Sequence, residues 1–164
     1  MPGLTSHSAR RTDPRPSRAR RRVASLFQDS VSYLNMLHFG EATLTFPQTL
    51  VLRYSRFEPE EQRQPVVAKD YAKWFLARLR TLEVRLAEED YLCAGRFTAA
   101  DVSVGYALML ASYLDLSSRF TPAVAAYWER LQGRPAFKRA LDAQKNAALA
   151  QRGSIVPAPL TVSE

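Results

Sequence analysis

Apolar residues return at helical spacing along most of the chain, and the phase of that return changes at a few clear points. The first patterned stretch is SLFQDSVSYLNMLHFGEATLTFPQTLVLRYSRF, Ser25 to Phe57. Within it Asn35, His38, Phe39, Ala42 and Phe46 lie three and four residues apart, the spacings that share one helical face. Pro47 interrupts this pattern and predicts a kink or a split, because its ring removes a backbone donor and crowds the preceding turn. The polar run from Glu58 to Pro65 reads as a connection. From Val66 to Glu89 a second helix is expected, with Tyr71, Phe75, Leu79, Leu82 and Leu86 as its apolar stripe. Lys73, Arg80 and Arg85 fall on its wet side, and Gly95 closes a compact turn after it.

A third helix is expected from Ala99 to Asp115. Nearly every residue from Val102 to Leu114 is apolar or small, so this helix should be surrounded on most sides. Its start is marked in GRFTAADVSVG, Gly95 to Gly105. Thr98 and Asp101 have the spacing of a capping box, in which each side chain serves the other's backbone N–H. Phe97 and Val102 have the spacing of a hydrophobic staple. Such a cap contributes about 1 kcal/mol. Two shorter helices follow, one capped by Thr121 with Pro122 in its first turn and ended by Gly133, the next opened by Pro135. No alternating strand pattern bounded by turn signals occurs; TLVLRY is the best β-like run, and its neighbours continue the helical period. The fold class is all-α, about five helices around the one that Thr98 caps. Residues 1–24 read as a disordered basic arm, 25–150 as the helical domain and 151–164 as a loose tail.

Charge changes the picture only after it is located. The chain has 164 residues and a net charge of +7, which first suggests nucleic acid. Residues 1–22 hold seven arginines against Asp13 alone, leaving about neutral charge for the body. The basicity belongs to an arm rich in arginine and proline and poor in apolar side chains, which cannot bury enough to order itself. The arm offers an electrostatic tether to nucleic acid, with affinity falling steeply with salt, but no aromatics interleave the arginines for base stacking. Nucleic acid is therefore not the expected partner. One cysteine, Cys93, excludes an intramolecular disulfide or a multi-cysteine zinc site and fits a reducing compartment. No apolar run approaches a membrane span and no secretory signal opens the chain, so the expectation is a cytoplasmic protein away from membranes.

Candidate chemistry is sparse. His38 has only His7 as a companion histidine, so no metal site is expected. Cys93 reads as a small buried hydrophobe, since nothing adjacent lowers its pKa. Glu88, Glu89 and Asp90 read as a solvated helix end. No residue is assigned as catalytic.

The order YLCAGRFTAADVSVGYAL, then AYWERLQGRPAFKRAL, resembles the C-terminal helical domain of bacterial glutathione S-transferases, and YLNMLHFGEATLTFP resembles the first long helix of that domain. The resemblance covers roughly residues 28–148. It implies glutathione as the family's co-substrate, a small apolar electrophile as the second substrate, and a role in detoxification. A complete transferase also has a thioredoxin-like domain that holds glutathione as a thiolate, and the sequence has no counterpart of it before the matched region. Conjugation by this chain alone is thus expected to be weak or absent, with no cofactor bound. The expected partners are a second copy of the chain or a chain supplying the thioredoxin-like domain. The resemblance makes Asn35, in YLN, the glutathione-contact candidate; the histidine that some members place seven residues on is Ala42 here. His38, Phe39, Ala42, Tyr106 and Leu110 are candidates for the electrophile pocket, with core packing as the plain alternative for the aromatic and aliphatic ones. Val156 and Pro157, in SIVPA, look like a glutathione-binding Val-Pro without its sheet. Two other readings stay open, a non-enzymatic interaction module of the same fold and an arm-mediated nucleic-acid tether.

Overall fold

The computed structural model describes residues 18–155, with the side chains of 19–25 and 27 excepted. Residues 1–17, and Val156 and Pro157 with the rest of the tail, lie outside the described residues. Five helical bodies make up the rest. The first is continuous: α1 (Arg18–His38), a π-helical segment (Phe39–Thr45), α2 (Phe46–Leu52) and a second π-helical segment (Arg53–Phe57). After a single 3-10 turn (Glu60–Gln62) come α3 (Pro65–Glu88), α4 (Ala99–Tyr113), a second 3-10 turn (Ser117–Arg119), α5 (Pro122–Gly133) and α6 (Pro135–Ala150). The domain is all-α; among the described residues the sole β feature is an isolated bridge between Cys93 and Arg96. Helix α1 already includes residues 18–24, which the sequence pattern assigns to the arm.

Pro47 neither splits the first helix nor ends it. The chain widens into π register just before it, with the Phe46 N–H donating to the Glu41 carbonyl five residues back. A looser turn moves the backbone away from the proline ring, which would clash in tight α geometry. The same widening straightens the buried stripe. Met36, Gly40, Leu44, Gln48 and Leu52, each four residues on, are all buried. A regular α-helix would drift about 40° at each such step, and the π segment takes up that drift. TLVLRY is helical throughout.

Helix α4 lies against α1, the first π segment and α5. Gly40 makes the tightest of these contacts: a Cβ there would lie 2.5 Å from the carbonyl carbon of Ser103. Ser103 Oγ also donates to the Leu37 carbonyl at 2.7 Å. Phe75, Leu79, Leu82 and Leu86 of α3 meet Val104, Leu108, Val124, Tyr127 and Leu131 in one core.

Helix α4 is surrounded on most sides as expected, with seven of its fifteen residues buried and only Ala99, Val102 and Tyr106 exposed; Val102 and Tyr106 are 58% and 53% exposed. Two local expectations need correction. Arg85 does not sit on the wet side of α3 but crosses to α1 and the following loop, its Nη1 donating to Ser32 Oγ (2.8 Å) and the Leu92 carbonyl (2.6 Å). Thr121 occupies the cap position of α5, yet its hydroxyl makes no capping bond and is buried without a partner.

Candidate functional site

The start of α4 is built as the sequence indicates and reaches further. Thr98 sits in extended backbone and forms the capping box with Asp101. The Thr98 N–H donates to Asp101 Oδ2 at 2.7 Å, and the Thr98 hydroxyl donates to the same oxygen at 3.0 Å. Two further donors come from distant parts of the chain. The Leu92 N–H donates to Oδ1 at 3.0 Å, and the Tyr127 hydroxyl donates to Oδ1 at 2.9 Å. One buried carboxylate therefore joins the α4 N-terminus, the preceding loop and α5. Burial, reinforced by this carboxylate, holds the Tyr127 phenol protonated well above its ordinary range. Neither long-range donor was legible from spacing, because each depends on how α5 and the loop dock.

That loop turns at Ala94 and Gly95, both at positive φ (57° and 60°). Two such residues in succession make a mirror-image tight turn, favoured by glycine at the second position. Cys93, just before the turn, is buried. Burial pushes its thiol up, and the Arg85 guanidinium offsets this only in part, so it is not an activated nucleophile.

The other candidates lie elsewhere. Asn35, His38 and Ala42 are exposed on the outer side of the first helix, opposite the buried stripe. Phe39 is half-buried and packs against the core, and Leu110 does the same on α4. Tyr106 is exposed beside Val102 on α4. Phe46 is 52% exposed and continues the outer side of the first helix. Val31 and Leu34 are also half exposed there. The structure thus brings Asn35, His38, Ala42 and Phe46 onto one open helical face, and Tyr106 onto the open side of the helix packed next to it. No described cluster of three His, Cys, Asp or Glu residues is arranged to hold a metal. No described helix is long and apolar enough to cross a membrane.

No family model and no curated protein sequence matches the chain. Solved structures do. Ure2p5 from Phanerochaete chrysosporium, crystallised with 1-(S-glutathionyl)-2,4-dinitrobenzene, superposes with a TM-score of 0.67 at 26% identity, over 78% of this chain and 61% of that one. Ure2p8, a glutathione transferase of the same fungus crystallised with oxidised glutathione, gives 0.63 at 23% identity over 74% and 55%. Glutathione S-transferase III in its apo form gives 0.58 at 23% identity over 69% and 54%. The chain is similar to glutathione transferases, consistent with their C-terminal helical domain, and spans about three fifths of the length of Ure2p5.

Proposed function

We propose that this chain is the electrophile-binding helical domain of a glutathione transferase of bacterial type, and that it conjugates glutathione weakly or not at all by itself. The observation that carries the reading is the open face of the first helix and α4. Phe46, Val102 and Tyr106 are each more than half exposed there, and large apolar side chains left open together mark a surface built to be covered. A thioredoxin-like domain seated on this face would set its glutathione thiolate against an apolar wall of His38, Phe39, Ala42, Tyr106 and Leu110. The Asn35 side chain makes no hydrogen bond to other described residues and is exposed, free to meet the peptide. Catalysis would then be positioning of thiolate and electrophile plus depression of the thiol pKa. The helical domain supplies the positioning.

The test compares the chain alone with a fusion carrying the thioredoxin-like domain of Ure2p5 ahead of it. A 1-halo-2,4-dinitrobenzene is the electrophile, chosen to give the conjugate bound to that neighbour. The chain alone should show little or no turnover above the uncatalysed rate and no glutathione binding by calorimetry. The fusion should conjugate, and Asn35→Ala should raise its KM for glutathione. Turnover by the chain alone as fast as that of the fusion, or a folded fusion that binds no glutathione, overturns the reading. The same open face favours a second reading, an interaction module without catalysis; a folded fusion that binds glutathione but never conjugates it supports that one.

A further inference from the structure

A second cleft borders that face at Val102, between the first half of α4 and the start of α6. It measures about 240 Å³ and is walled by Phe97, Val102, Gly105, Leu131, Phe137 and Ala140, with Asp101 and Arg134 as its charged residues. The wall is almost wholly apolar, and its size suits one aromatic ring with a short chain.

The two charges are not equivalent. Each oxygen of Asp101 already receives two hydrogen bonds, from Leu92 and Tyr127 on one side and from Thr98 on the other. Arg134 lacks a carboxylate among the described residues. Its Cζ lies 3.5 Å from the centre of the Phe97 ring and 5.9 Å from that of Tyr91. Its Nη1 donates to the Tyr91 hydroxyl at 3.2 Å. The stacking fixes the guanidinium plane at the cleft and leaves Nε and Nη2 without a described partner. A planar cation held on an aromatic ring, with a free edge, is the arrangement that takes a carboxylate by paired N–H donors.

We propose that this cleft binds an amphipathic aryl carboxylate, the ring among Phe97, Leu131 and Phe137 and the carboxylate on Arg134. Apart from Val102 its lining lies outside the open face, and it needs no thioredoxin-like domain. It therefore stands whether or not the chain takes part in conjugation.

Trp128 reports on the cleft, because its ring meets Phe137 edge-on at 5.5 Å. The chain has two tryptophans, so Trp74→Phe isolates the signal. In that background 4-phenylbutyrate should change Trp128 emission saturably, and its neutral amide should bind at least tenfold more weakly. Arg134→Met should erase the difference between acid and amide, and Ala140→Phe, at an exposed position, should abolish both responses by filling the cleft. Amide chemical shifts give an independent readout in the unaltered chain: Val102, Gly105, Ala136 and Ala140 should move on adding 4-phenylbutyrate. An unsaturable response, equal affinity for acid and amide, an acid preference that survives Arg134→Met, or shifts confined to other residues overturns the proposal.

Discussion

Replacing Asp101 by alanine isolates the device on which the centre of this fold turns. Asp101 is 1% exposed, and Leu92 and Tyr127, which supply two of its four donors, are fully buried. Without the carboxylate, the Leu92 N–H and the Tyr127 hydroxyl are stranded away from water, at about 1–3 kcal/mol each. Loss of the cap adds about 1 kcal/mol. The half-buried Thr98 donors can recover water, so they add little. The expected cost is about 3–7 kcal/mol, a large part of the roughly 5–15 kcal/mol that holds a domain together. At about 2–4 °C per kcal/mol for a chain of this size, the Tm should fall by about 6–28 °C. Urea titration followed by far-ultraviolet circular dichroism measures the free energy directly. Tyr127→Phe removes one donor and strands nothing, so it should cost only about 1–2 kcal/mol. The double variant should be more stable than the two single costs add up to, by about 1–2 kcal/mol, because the hydroxyl stranded by Asp101→Ala is gone. An Asp101→Ala cost under about 1 kcal/mol, or strict additivity with Tyr127→Phe, refutes the reasoning.

Other consequences are equally direct. Gly40→Ala should cost about 1–3 kcal/mol by forcing the first helix off α4. Because backbone atoms of Ser103 meet the new methyl group at 2.5 and 2.7 Å, adding Ser103→Ala should not restore the loss; full rescue in a urea titration would show that the side chain alone sets the contact. Stability should also fall in alkali. Cys93 and Tyr127 ionise in the unfolded chain near their ordinary values of 9.0 and 10.0, while both are raised in the folded protein. The folded state then binds more protons, so stability is complete below about pH 9 and declines above it, by up to about 1.4 kcal/mol per pH unit for each group. Tyr127→Phe should remove the part of the slope above pH 10, and a slope unchanged in that variant would exclude Tyr127 as its source.

Much of this architecture is written in local pattern. The stripe Phe75, Leu79, Leu82 and Leu86 is buried because a helix repeats every 3.6 residues wherever it is packed. Thr98 and Asp101 cap α4, and Pro135 opens α6, because those signals act within a single turn. The all-α class follows from such local rules. The open-face candidates are legible to the same extent: spacing puts Asn35, His38 and Ala42 on one side of a helix, and the resemblance assigns that side to glutathione chemistry.

Spacing could not say which side of a helix would be covered. Val102 and Tyr106 lie in a run so apolar that burial is the natural expectation, and only the packing of α1, the first π segment and α5 around α4 leaves them open. The π register ahead of Pro47 was hidden for a related reason: a proline states that a turn must change, while the helix it packs against decides how. Asp101 acquires Leu92 only when the loop before α4 folds back and Tyr127 only when α5 docks, and Arg134 reaches Phe97 only when α6 does. Within a turn, sequence determines geometry because the backbone constrains neighbours directly. Across tens of residues the partners of a charge are chosen by how the helices come together, and that choice belongs to the tertiary structure.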